Sequence, residues 1–444
     1  MESGNKKIVV IGSVIFLMIV LVVGSVLWFL SDTSSNISVR DSGDSGEVPF
    51  SFIDEIEDVE TDNTQDDFFN SQVVETDGDV DSFENINTQN NPSVNEGGAD
   101  ARNVETTSRD ISGISNAVKI FPKAAAGLNL LDSKVRLVER SSGNIYEIKL
   151  GNKESIHTPK RITNASILRV RNAIVSGEGA VVQYEDIQTD ELRTLFTTIG
   201  VETGGFSKLT RGTLLQSAPF IGWSSKNKKV FYINQNESGV EGFVTNTGGR
   251  SPAKVFESSF LSWRPIVAED GAIGVLTAPS RFTKGFLYKV ENSGNLSLVT
   301  GDVDGLSIAN PKSFDKFVIS FISNGLLRIS LVDNKSKRVV LFSFQTLAEK
   351  CAMGNKIIVC GVPKDLDGDG FIASDLPDSW YRGEGVFEDS ILFINMENGE
   401  IFKTIDPTRE AGEEVDFYRA IVTDDDKKVV FINKRDESVW VAFN

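Results

Sequence analysis

The sequence predicts an all-β protein: a seven-bladed β-propeller behind an N-terminal transmembrane helix and a disordered acidic linker. Three observations carry that expectation. Residues 117–444 are filled by short runs rich in Val, Ile and Phe, each bounded by polar turns, which is the pattern of antiparallel strands in tight hairpins. Polar turns recur near Asp132, Gly177, Asn227, Asp270, Asp315, Asn355 and Asp426, mostly about 40–50 residues apart, the period of a four-stranded blade. Ahead of them stand a charge-free apolar run and a long acidic stretch.

Residues 1–7 hold Lys6 and Lys7, and the 23 residues from Ile8 to Leu30 carry no charge. A run of that length crosses a hydrocarbon core of roughly 30 Å as a helix. Basic residues before it and acidic ones after it place the N-terminus in the cytoplasm and the rest outside, anchored in the cell membrane by a single pass. The competing reading is a cleaved signal peptide. Its apolar core is normally about 7–15 residues, shorter than this one.

The segment 31–116 has three basic residues against 21 acidic ones, a net charge of −18 that equals the net charge of the whole chain. Such a composition buries too little apolar surface to offset chain entropy, and the segment is expected to be a disordered tether. Two apolar islands interrupt it, Val48–Ile56 and Phe68–Val74. What remains, 117–444, is nearly neutral, without the basic surplus of a nucleic-acid binder. His157 is the only histidine, and Cys351 and Cys360 are the only cysteines. That scarcity excludes Cys/His zinc sites.

In 117–444 each unit reads as four strands. Val230–Asn234 and Phe317–Ile322 are second strands. Ile145–Leu150, Leu192–Phe196, Phe286–Val290, Leu326–Leu331, Ile391–Asn395 and Val439–Phe443 are third strands, and Arg338–Phe342 and Glu400–Ile405 are fourth strands. The last unit has three runs, Tyr418–Val422, Val429–Asn433 and Val439–Phe443, and then the chain ends. An open edge invites mispairing. Ala117–Phe121, a spare run before the first unit, is expected to pair with Val439–Phe443 and close a ring. Seven units suggest seven blades; six or eight stay open because the second unit is hard to delimit.

Phe220-Ile221-Gly222-Trp223-Ser224 followed by Val230-Phe231-Tyr232-Ile233, with Gly248-Gly249 ending the unit, resembles the repeat of TolB-type, WD-repeat-like propellers. Over 117–444 the chain also resembles a group of membrane-anchored propeller proteins of candidate-phyla (Patescibacteria-like) bacteria. That likeness rests on Val135–Arg140, Gly143–Glu147, Arg161–Asn164, Cys360–Pro363 and Leu376–Gly383. It implies the fold and the anchoring, and no activity.

The sixth unit is longer because Gly361–Phe387 inserts about 25 residues between its second and third strands. Within it, Asp365-Leu366-Asp367-Gly368-Asp369-Gly370 places carboxylates at the first, third and fifth positions and Gly at the sixth, the start of a calcium loop. The candidate ligands are Asp365, Asp367, Asp369, the Phe371 carbonyl and Asp375. Leu376 stands where a bidentate Glu belongs, so a solvated acidic turn is the competing reading. Trp380, Tyr381 and Arg382 follow, residue types that anchor interfaces; alternatively Trp380 packs the insert onto its blade. Cys351 and Cys360 flank a hairpin turn, within reach of a disulfide, the alternative being two buried thiols.

The function this supports is a membrane-tethered, extracytoplasmic binding or scaffolding module for a protein or cell-envelope partner. The alternative is a calcium-dependent hydrolase or lyase acting on glycan or phosphoester.

Overall fold

The computed structural model describes residues 115–444 apart from 154, 156, 157, 204, 216, 217, 225–227 and 368–372. The expected anchor Ile8–Leu30, the acidic segment up to residue 114, and His157 lie outside the described residues. Among those described, no helix is long and apolar enough to cross a membrane.

The protein is all-β. The chain opens with β1 (Ala117–Phe121) and then builds sheets in order. The first holds β2 (Ala125–Leu131), β3 (Lys134–Glu139), β4 (Ile145–Lys149) and β5 (Lys160–Arg161). The second holds β6 (Val170–Val175), β7 (Gly179–Glu185), β8 (Leu192–Thr203) and β9 (Phe206–Leu215). The third holds β10 (Phe220–Ser224), β11 (Lys229–Asn236), β12 (Gly239–Thr245) and β13 (Ala253–Ser258).

A seven-stranded sheet follows: β14 (Trp263–Val267), β15 (Ile273–Thr277), β16 (Lys284–Val290), β17 (Leu296–Ile308), β18 (Lys316–Ser323), β19 (Leu326–Asp333) and β20 (Arg338–Leu341). It is two four-stranded units sharing one long strand. The first part of β17 pairs with β16, and its end, from Asp304 to Ile308, pairs with β18. Next come β21 (Cys351–Met353), β22 (Ile357–Pro363), β23 (Asp389–Asn395) and β24 (Ile401–Ile405). The last sheet holds β25 (Phe417–Val422), β26 (Lys428–Asn433) and β27 (Val439–Phe443), with β1 as its fourth strand. All of these pairings are antiparallel, and no sheet of the described residues closes on itself as a barrel.

The strand assignments follow from burial. Middle strands such as β27 and β26 are buried on both faces, because a neighbouring sheet covers each side. Fourth strands such as β9, β20 and β24 are much more open to solvent, and leave apolar side chains such as Leu341, Ile401 and Phe402 exposed. Seven apolar clusters lie between successive four-stranded units. The one holding Phe121, Val135, Leu137, Val439 and Val441 joins the last sheet to the first.

The expected pairing of Ala117–Phe121 with the C-terminal strand is observed, with Ala117 opposite Ala442 and Phe121 opposite Val439. Polar contacts reinforce the same junction. The Ala125 amide donates to the Glu437 carbonyl at 2.9 Å. Arg419 donates to the Ala126 carbonyl at 2.7 Å, and Arg140 pairs with Glu437 at 2.7 Å.

Candidate binding face and the inserted loop

The insert leaves β22 at Pro363 and rejoins at β23, and its two roots are held together by the Lys364 amide donating to the Glu388 carbonyl at 2.8 Å. It forms one short helix, α1 (Asp378–Arg382), which stops at Gly383, whose φ of 75° is the left-handed conformation that glycine accepts most readily. The insert does not stay over its own sheet. The Asp378 carboxylate accepts the Arg281 amide at 2.8 Å, and Arg281 donates to the Leu376 carbonyl at 3.4 Å. Arg281 sits in the loop between β15 and β16, so the insert reaches the seven-stranded sheet. On its other side Lys434 donates to the Gly385 carbonyl at 2.8 Å and Arg435 to the Phe387 carbonyl at 3.1 Å, which ties the insert to the last sheet.

Trp380 fastens this roof. It is 4% exposed and packs with Leu327, Leu347, Leu376 and Phe387. Tyr381 and Tyr418 meet it edge-on at 5.4 and 5.5 Å, and the Lys434 ammonium lies 4.6 Å from its ring centre. Of the three residues singled out as interface anchors, Trp380 therefore packs inward. Arg382 points outward, paired with Glu384. Tyr381 lies between them: its hydroxyl donates to the Glu349 carboxylate, and the Arg264 guanidinium stacks 4.3 Å from its ring centre.

Glu349 is the hub beneath Tyr381. It also accepts the Ser307 hydroxyl at 2.8 Å, and Ser307 in turn bonds Ser320 at 2.7 Å. Burial pushes its carboxyl up to about 7, against the opposing pull of Ser307 and Arg264. Next to it in sequence, Lys350 is wholly buried against Asp389, at 2.6 Å, and Asp416.

The acidic stretch of the insert behaves as a turn where it is described. Asp365 accepts the Asp367 amide at 3.0 Å, and Asp367 accepts the Ala373 amide at 2.8 Å. Asp369 and Phe371 lie outside the described residues. Asp375 ends a single 3-10 turn, and its carbonyl accepts the Ser379 hydroxyl at 3.2 Å. Among the described residues no three acidic, His or Cys side chains gather as a metal site. Cys351 and Cys360 form the expected disulfide, directly opposite one another on β21 and β22 with Cα atoms 4.1 Å apart.

Beside the roof the surface is aromatic. Phe282, next to Arg281, is 80% exposed, and Phe220, Phe260 and Leu261 are exposed as well. Arg264 links Phe220 to the insert, lying 5.9 Å from the Phe220 ring centre while it stacks on Tyr381. A cleft of about 840 Å³ opens elsewhere, between β13 and the β15–β16 edge, lined among others by Lys229, Lys254, Phe256, Glu257, Lys289 and Glu291. The half-buried Glu349 and the buried Asp389 and Asp416 do not line it.

Sequence reasoning found the insert and the cysteines but not Glu349, Lys350, Asp389 or Asp416. No motif joins these four. The available signal was a charge at the entry to an apolar strand: Glu349-Lys350 before Cys351, Asp389 before Ile391, and Asp416 between Val415 and Phe417.

Scanned against protein-family models and against curated proteins, the sequence matches none. Among solved structures it is similar to a prolyl endopeptidase at 11% identity and a TM-score of 0.48, covering 73% of this chain and 50% of that one, so the chain spans about half that enzyme's length. It is also similar to Chaetomium thermophilum Sqt1, solved bound to the N-terminus of the ribosomal protein L10, at 10% identity and a TM-score of 0.44, covering 72% of this chain and 84% of that one. TolB from Acinetobacter baumannii is similar at 9% identity and a TM-score of 0.38, covering 61% of this chain and 66% of that one.

Proposed function

We propose that this chain is a membrane-tethered, extracytoplasmic seven-bladed propeller that binds a protein or cell-envelope partner on the face roofed by the insert. The anchor is Ile8–Leu30 and the tether is 31–116. The ring reading is supported by the apolar clusters between successive units, including the one that joins last to first. The disulfide Cys351–Cys360 fits an oxidising compartment. The observation that carries the binding role is the aromatic and guanidinium surface beside the roof, with Phe282 at 80% exposure. Aromatic and Arg side chains concentrate binding energy at interfaces.

The alternative is a calcium-dependent hydrolase or lyase, with Asp365, Asp367, Asp369, Phe371 and Asp375 as the metal ligands. It is less favoured. Asp365 and Asp367 each spend an oxygen on a backbone amide. The half-buried Glu349 is engaged by Tyr381 and Ser307, and the buried Asp389 and Asp416 by Lys350, away from the large cleft. An enzyme would be expected to keep such groups beside a deep pocket.

Crosslinking capture with the full-length anchored protein tests the reading. Phe282→Ala combined with Arg382→Ala is expected to reduce the captured partner about tenfold, a loss of about 1.4 kcal/mol. Phe402→Ser, on the exposed outer strand β24, is the matched control. Equal capture by both variants would discard this face. Calcium titration of the same protein, read by thermal unfolding, distinguishes the alternative: a rise in midpoint that Asp367→Asn abolishes would favour it.

A further inference from the structure

Lys350, Asp389 and Asp416 come from three places in the chain: the 3-10 turn before β21, the start of β23, and the residue before β25. All three side chains have zero exposure. The Lys350 nitrogen lies 2.6 Å from one Asp389 oxygen and also contacts an Asp416 oxygen. The Phe387 ring sits beneath the ammonium at 4.9 Å. Each carboxylate is oriented by a backbone amide, Asp389 by Phe417 at 2.6 Å and Asp416 by Phe387 at 3.0 Å. The remaining Asp389 oxygen, Oδ1, is buried with no hydrogen-bond partner among the described residues. Gly361 permits this approach, since a Cβ there would stand 2.7 Å from Asp389 and 2.3 Å from Phe417.

Three ionisable groups in one dry site cannot all be charged cheaply; each buried ion costs several kcal/mol. Burial, with Asp416 beside it, raises the Asp389 carboxyl to about 7, so its acid form is accessible. Burial works against the Lys350 ammonium too, but the two carboxylates outweigh it and raise that group. Asp389 is thus the carboxyl placed to react in its acid form, beside the Lys350 nitrogen at 2.6 Å.

We propose that Lys350 and Asp389 join through an intramolecular amide bond, with Asp416 as the general base. Asp416 takes one proton from the Lys350 ammonium. The freed amine attacks Cγ of protonated Asp389, forming the N–C bond. The C–Oδ1 bond breaks, and the hydroxyl leaves as water with a second proton from the nitrogen. Ammonium, carboxylic acid and carboxylate become amide, water and the protonated Asp416; charge is zero on both sides, and no oxidant or cofactor is required. Fixed proximity supplies effective concentrations of about 10⁵–10⁸ M, and the zero exposure of the site withholds the water that would reverse the step.

The placement gives the bond a purpose. Lys350 and Cys351 are neighbours. Cys351 binds Cys360 just before the insert, and Lys350 would bind Asp389 just after it. Two adjacent residues would then staple both roots of the roof to β21.

Intact mass spectrometry of the full-length protein, with the disulfide reduced, tests this. The folded protein is expected to be one water lighter than its sequence mass, with a crosslinked peptide joining Lys350 to Asp389. Asp416→Asn is expected to restore the sequence mass, and Asp389→Asn to lose one ammonia instead of water. Folded protein at its full sequence mass would overturn the proposal and leave an ion pair. A crosslink to Asp416, or water loss persisting in Asp416→Asn, would overturn the assigned roles.

Discussion

Trp380 and Glu349 define what single residues contribute here. Trp380 is packed on several sides by apolar side chains and capped by Lys434, so truncation leaves a large void. Trp380→Ala is expected to cost about 3–5 kcal/mol, read as a lowered denaturant midpoint. Glu349 supplies a pH signature. Its carboxyl is raised from 4.5 to about 7, so the folded state holds the proton more tightly than the unfolded chain. Stability should then fall as pH rises through that window, and Glu349→Gln should flatten the fall. An unchanged slope would show that the proton resides elsewhere. Of these residues only Trp380 was legible in the sequence, because its Trp-Tyr-Arg context is conspicuous. Glu349 was invisible because its partners Ser307, Tyr381 and Arg264 come from three distant segments.

At the scale of elements, the hairpin β21–β22 and the insert act together. The disulfide links residues nine apart in sequence, and closing so short a loop stabilises by about 2–3 kcal/mol in the chain-entropy account. Cys360→Ser is expected to lower the unfolding midpoint accordingly and to loosen the roots of the insert, seen as faster amide exchange at Lys364. This hairpin was legible because its cysteines straddle a turn. The destination of the insert was not. Its contacts with Arg281 and Lys434 are long-range, and a loop's composition does not say where it lands. The shared strand β17 escaped for a related reason. Its two halves pair with different partners at Asp304, and that switch is set by the separate strands β16 and β18, not by the local sequence.

For the molecule as a whole, the decisive junction is between the first strand and the last sheet. Ile120 and Phe121 are buried there at 4% and 2% exposure. Beginning the chain at Pro122 should remove about 3–6 kcal/mol of burial and bare β27 as a sticky edge. The expected readout is a lower calorimetric midpoint with concentration-dependent aggregation. This junction was legible because the last unit offers three apolar runs while Ala117–Phe121 stands spare ahead of the first.

The antiparallel register of β1 on β27 also decides how the protein answers a mechanical load. A pull on Ala117 along the axis of β1 would act at right angles to the bonds from Ala117–Ala442 to Phe121–Val439. Those bonds are stressed in shear and must slip in concert, whereas a perpendicular tug would unzip them singly. The strand that completes the last sheet would thus withstand an axial pull better than a sideways one.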